Sequence, residues 1–254
     1  MDKNRLRELK LLPIWRARTS AMSDQIPVAT HAPDDSALPE TDTAICLPTN
    51  QQMDVVAMDW AQLRQAVTSC TACPLSQTRK QTVFGTGDKA ASWLFIGEGP
   101  GAREDALGEP FVGQAGKLLD NMLQAIGLKR DQDVYIANIV KCRPPGNRNP
   151  QPLEAEQCRP YLLRQIALVQ PRLIVALGKV AAENLLATGA SLASLRGQLH
   201  DFSGIPLIVT YHPAYLLRTL TDKARAWEDL CFARSTMQSL LASASNDAPG
   251  SLPS

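Results

Sequence analysis

The chain has 254 residues, 44% of them apolar, with 26 Lys and Arg against 25 Asp and Glu and a net charge of +1. That length allows one sizeable core plus a tail. No run of 18 apolar residues exists, which excludes a helical membrane span. The basic N-terminus lacks a continuous apolar stretch and a small-residue cleavage site, so no secretory leader is expected.

Residues 1–18 hold six Lys and Arg against two acids, and Leu6, Leu9, Leu12 and Trp15 recur there at helical spacing. This predicts a basic helix that either packs on the core or docks a replication or repair protein. Residues 19–54 are rich in Ala, Thr, Asp, Pro and Ser, with six acids and no Lys or Arg between 20 and 54. Such a segment cannot bury enough apolar surface to offset its ordering entropy and reads as a disordered acidic linker. The remainder is mildly basic, compatible with nucleic-acid binding without arguing for it.

From Val55 the pattern turns α/β. Apolar runs at 93–97, 134–138, 173–178 and 206–211 read as buried strands, alternating with helical patterns at 115–126, 153–169, 179–187 and 222–241. The expected fold is a three-layer αβα sandwich around a four-stranded parallel sheet, spanning 55–243, with a disordered tail at 244–254. Ligands of such folds bind beyond the carboxyl ends of the strands.

The residues at those ends carry the chemistry. The first strand runs into Gly97-Glu98-Gly99-Pro100-Gly101, whose glycines allow close backbone approach to a ligand. The spacing fails G-x-G-x-x-G, which excludes a dinucleotide fingerprint. Phe111, in Pro110-Phe111-Val112-Gly113, stands outside any periodic apolar pattern and is either core or a stacking platform. Asn138 ends the second strand and can offer a donor and an acceptor together, as reading a base edge requires. His212, in Tyr211-His212-Pro213, ends the fourth strand and is assigned a function. His31 and His200 fall in the linker and a polar loop and are given none.

Of six cysteines, Cys70 and Cys73 form C-x2-C before Pro74, and Cys142 and Cys158 lie in Lys141-Cys142-Arg143-Pro144-Pro145 and Gln157-Cys158-Arg159-Pro160. In a reducing cytoplasm, four thiolates from distant segments hold either one tetrahedral zinc or one [4Fe–4S] cluster.

Taken together, these motifs resemble the family-four, iron–sulfur uracil-DNA glycosylases of the uracil-DNA glycosylase superfamily, over roughly residues 60–240. The resemblance implies an enzyme that flips deoxyuridine from single- or double-stranded DNA and hydrolyses its N-glycosidic bond in base excision repair. It implies a [4Fe–4S] cluster on Cys70, Cys73, Cys142 and Cys158. His212 would donate to the uracil oxygen and Glu98 would position the water or act as general base. Gly99 and Gly101 would line the pocket, Phe111 would stack on the base, Asn138 would read its edge, and Glu104 would exclude thymine by crowding C5. Arg143, Arg148 and Arg159 would face the DNA backbone. The 212–218 loop would enter the minor groove, with Tyr215 or Leu216 as wedge and Arg218 on phosphate.

One departure is Gly99, where several superfamily members carry an Asp or Asn base, so the carboxylate must come from Glu98. Another concerns a covalent-trapping subgroup with a histidine-bearing insertion near 141–152. No histidine stands there in this chain, so ordinary turnover is expected. A monomeric cytoplasmic enzyme is expected. The alternatives are a non-catalytic iron–sulfur DNA-binding module and a zinc-bound interaction protein.

Overall fold

The computed structural model of the protein describes residues 55–246, with side chains to 243. The predicted N-terminal helix and acidic linker, and the tail beyond 246, lie outside the described residues. Helix α1 (Trp60–Ser69) begins at a capping box, in which Asp59 Oδ1 accepts from the Ala61 and Gln62 amides and Gln62 Oε1 accepts from the Asp59 amide. That box satisfies backbone donors that a first helical turn leaves without partners.

Six strands follow: β1 (Thr86–Gly87), β2 (Trp93–Gly97), β3 (Val134–Asn138), β4 (Leu173–Leu177), β5 (Leu199–Phe202) and β6 (Ile205–Thr210). The order across the sheet is β1-β3-β2-β4-β6-β5. The four central strands are parallel, as expected, and their register sets Gly97 beside Asn138. The sheet is nevertheless wider than the four strands predicted, because antiparallel β1 and β5 cover its edges. Strand β5 reads Leu-His-Asp-Phe with one buried residue. An edge strand that faces solvent carries no continuous apolar run, and the sequence shows it as a polar loop.

Among the described residues the helices that follow α1 are α2 (Ala102–Leu107), α3 (Gln114–Ala125), α4 (Pro152–Val169), α5 (Lys179–Leu186), α6 (Leu192–Leu195), α7 (Pro213–Leu216) and α8 (Lys223–Asn246). The last runs five residues past the predicted end. Strand residues alternate between two cores. Leu94, Ile96, Ile174, Ala176, Leu207 and Val209 pack with Leu162 and Ile166 of α4 and Ala181 of α5. Phe95, Ile136, Val175 and Ile208 pack with Leu119 and Leu123 of α3 and Leu230 and Met237 of α8. Burying each such side chain contributes about 1.5–3 kcal/mol, and the two-faced burial makes three layers.

A polar anchor fastens the end of β6 to α8. Asp229 is 2% exposed and accepts from Thr210 Oγ1 at 2.7 Å and from Arg196 Nε and Nη2 at 2.7 and 2.9 Å. Arg196 also lies 4.4 Å from the centre of the Tyr211 ring. Removing one partner of a buried pair leaves the other charge uncompensated, at a cost of about 3–5 kcal/mol. Asp229→Ala should therefore lower Tm by roughly 6–20 °C in a thermal melt.

Candidate functional site

The turns after β2, β3, β4 and β6 open into one cleft of about 710 Å³ at the carboxyl edge of the sheet. Phe111, Asn138 and His212 share its wall with Glu98, Gly99, Gly101, Glu104, Arg148, Tyr215 and Arg218. Ten residues singled out from the sequence are thus brought together. Arg143 is not in the cleft wall; its Nε donates to Asn147 Oδ1 at 2.7 Å.

Asn138 is 2% exposed and its Oδ1 has no hydrogen-bond partner among the described residues. Leaving a buried acceptor unpaired costs about 1–3 kcal/mol, so this atom is suited to a ligand's N–H. Neighbouring Gly97 is required by space: a Cβ there would lie 2.6 Å from both Asn138 Oδ1 and the Phe111 ring.

Phe111 adopts φ 54°, a left-handed conformation rare for a bulky residue. Its neighbours hold that turn at four points. Arg130 donates to the Pro110 and Phe111 carbonyls at 2.9 Å each, and Glu104 Oε1 accepts from the Val112 and Gly113 amides at 2.9 and 2.8 Å. Asp120 fixes Arg130 at 2.9 Å. The Phe111 ring centre sits 5.6 Å from that of His212, tilted by 31°. Strain held this way is characteristic of sites where a side chain must be presented in one pose.

His212 caps the N-terminus of α7, and its Nδ1 accepts from the Ala214 amide at 3.1 Å. An accepting Nδ1 leaves the proton of the neutral ring on Nε2. Burial, aided by the Arg218 charge and opposed by Glu104, pushes the imidazole pKa down to about 4. The ring is thus a neutral donor at physiological pH. Glu98 is half-buried, its carboxyl is pushed up by desolvation, and its side chain has no hydrogen-bond or ion-pair partner among the described residues.

One expected role changes. Leu216 is 1% exposed and packs in the core, so it cannot serve as a wedge; its neighbour Leu217 is 42% exposed. Helical spacing from the His212 cap turns 216 inward, a consequence of α7 that the loop reading missed. Tyr215 stacks on Tyr211 at 5.3 Å and donates to Asp222 Oδ2 at 2.7 Å. The Arg148 fork is engaged by buried Glu154 at 2.7 and 2.8 Å. Arg130, Arg79, Gln165 and Lys141 were not singled out from the sequence. Lys141 carried a signal, since it adjoins Cys142; Arg79 and Arg130 sit in unremarkable polar runs, and Gln165 is a polar residue in a largely apolar stretch.

Cys70, Cys73, Cys142 and Cys158 wall one pocket, together with Arg79 and Lys141, and all four are free thiols. Among the described residues, no three His, Cys, Asp or Glu side chains form a group that could grip a single metal ion. Arg79 Nη1 donates to Cys142 Sγ at 3.1 Å and the Lys141 amide to Cys158 Sγ at 3.3 Å. Desolvation pushes the Cys158 thiol up to about 12 and raises those of Cys142 and Cys73. Four soft donors, with N–H groups aimed at two sulfurs and two cations beside them, fit an iron–sulfur centre, whose positive irons offset the cost of buried thiolates.

The family model described as the uracil DNA glycosylase superfamily matches residues 84–231. A type-4 uracil-DNA glycosylase of Thermotoga maritima is 44% identical over 175 residues, 67% of this chain and 91% of that protein. One from Pyrobaculum aerophilum is 40% identical over 181 residues, 68% of this chain and 92% of its own length. A type-5 enzyme of the same organism is 32% identical over 148 residues, 51% of this chain and 64% of its own length. With the family model covering more than half its length and the strand-end residues gathered in one cleft, the chain belongs to the uracil DNA glycosylase superfamily.

Proposed function

We propose that the chain is a uracil-DNA glycosylase that receives an extruded deoxyuridine in this cleft, hydrolyses the bond to its sugar and leaves an abasic site for base excision repair. The observation that carries the reading is the unpartnered Asn138 Oδ1, buried beside Phe111 and His212. Uracil presents N3–H to that oxygen and O4 to the Asn138 amide donors. Cytosine inverts both groups, and each mismatch leaves a buried polar group unpaired at about 1–3 kcal/mol. Phe111 stacks on the flipped base, worth about 1–3 kcal/mol. Glu104, held at the cleft wall by two amides, crowds the position a thymine methyl would take.

In the chemical step the C1′–N1 bond breaks and its electron pair leaves on uracil. His212 Nε2–H donates to uracil O2 as that charge develops, a neutral donor aimed where the transition state needs it. Glu98 orients water on the sugar, whose oxygen bonds to C1′, and its raised pKa makes the carboxylate a stronger acceptor for the proton released. Leu217, with Tyr215, fills the gap left in the stack, and Arg218 meets phosphate. Cys70, Cys73, Cys142 and Cys158 would hold a [4Fe–4S] cluster, which supplies a structural crosslink between α1, the turn after β3 and α4. The enzyme acts on single- and double-stranded DNA as a cytoplasmic monomer. Among the described residues no helix is long and apolar enough to cross a membrane.

Release of free uracil from both kinds of DNA tests the function; tight binding with no uracil released would reject it in favour of a non-catalytic module. Asn138→Ala and His212→Ala should each lower the rate about 10²-fold or more while iron content stays at the wild-type level. Stability supplies a second check. Folded His212 titrates at about 4, against roughly 6.5 in an unfolded chain. Between those values the unfolded state holds the extra proton, so stability falls as pH drops, by up to about 3 kcal/mol. Denaturant unfolding from pH 7 to 4 should show that slope, and His212→Asn should remove it. Cys142→Ser should bleach the visible absorbance and lower Tm; a protein that keeps both would refute the ligand set.

A further inference from the structure

Lys141 is 1% exposed, a cation inside the core. Its Nζ donates to the Asn138 carbonyl at 2.9 Å and to Gln165 Oε1 at 2.6 Å. Gln165 is fixed in turn, its Nε2 donating to the Phe84 carbonyl at 2.8 Å and to Tyr135 Oη at 3.3 Å. The Lys141 backbone faces the other way: its amide donates to Cys158 Sγ at 3.3 Å, and its carbonyl accepts from the Val83 amide at 2.7 Å. The intervening amides of Ile139 and Val140 bond to the Gly97 and Glu98 carbonyls at 2.9 and 3.2 Å. The path from the asparagine to the sulfur pocket is therefore tied at each peptide. A methionine of similar length would fill the space without desolvating a charge, so packing alone does not account for an ammonium here.

We infer that Lys141 is a positioning residue that joins the cysteine pocket to the base-recognition residue, so that the pocket sets the pose of Asn138. One residue contacts both, through its backbone on the sulfur side and its side chain on the Asn138 side. Loosening it leaves the Asn138 peptide without its cap and lets the amide rotate away from the base edge. The inference rests on the reading of Asn138 as the group that recognises uracil.

The test uses the iron-loaded full chain and binding rather than turnover. Affinities are measured for an oligonucleotide carrying 2′-fluoro-2′-deoxyuridine, whose fluorine slows cleavage, and for the same oligonucleotide carrying 2′-fluoro-2′-deoxycytidine. The ratio of the two Kd values reports discrimination. Lys141→Met should lower the ratio about tenfold, with iron content and visible absorbance retained. In an Asn138→Ala background the same substitution should change it less than about twofold, since residues acting as one unit are not additive. An unchanged ratio when Asn138 is present, or equal losses in both backgrounds, would overturn the inference. If Lys141→Met yields no iron-loaded protein, Gln165→Met, which removes one acceptor and keeps the charge, is carried through the same cycle with the same criteria. A wild-type ratio near one would overturn the assignment of Asn138 and this inference with it, whereas wild-type discrimination unaffected by either variant overturns this inference alone.

Discussion

Parallel pairing of β2 with β3 sets Gly97 against Asn138 at the rim of the sheet, and the site is built outward from that pair. A side chain at 97 would meet both the asparagine oxygen and the Phe111 ring at 2.6 Å. The bare glycine lets a polar group and an aromatic ring converge from different segments on one point. A one-residue slip in the register would turn Asn138 to the opposite face of the sheet. The apolar alternation along β2 and β3 that buries two cores therefore also decides where the amide stands.

Each residue at this point is held in place by partners of its own. Arg130 and Glu104 hold Phe111 in a conformation it would not choose alone, and the Ala214 amide fixes the His212 tautomer. The Arg196–Asp229–Thr210 contact anchors the strand that delivers His212. Desolvation acts differently on His212 and Glu98: it keeps the imidazole neutral and makes the carboxyl more basic. Both shifts suit a reaction in which charge appears on the leaving base while water loses a proton.

The sequence shows the parallel strands and long helices well because buried runs and 3.6-residue periodicity report burial directly. It hides β5, whose Leu-His-Asp-Phe pairs through backbone on an exposed edge, and β1, two residues long. Asn138 and His212 were legible because each breaks an apolar run at the end of a strand, and Phe111 because it stands outside any periodic apolar pattern in a glycine-rich turn. Arg130 and Gln165 were not. Their importance lies in the backbone atoms they hold, 19 to 81 residues away, and nothing local to an arginine or glutamine announces that. Leu216 and Leu217 differ by one position and look alike in sequence. Only the turn of α7 separates a buried side chain from an exposed one.

The ion pairs described above also bear on how the molecule meets a long polyanion. Arg148 is matched by Glu154, Arg130 by Asp120 and Arg196 by Asp229. In the cleft wall Arg148 is thus already matched, while Arg218 has no ion pair among the described residues, and the whole chain carries a net charge of only +1. Each guanidinium already matched by a carboxylate displaces fewer condensed counterions on contact, which weakens nonspecific attraction to the duplex and its dependence on ionic strength. A protein that lingers little at each nucleotide can sample many before one rotates out, and residence comes from the fit of the base rather than from the grip on the strand.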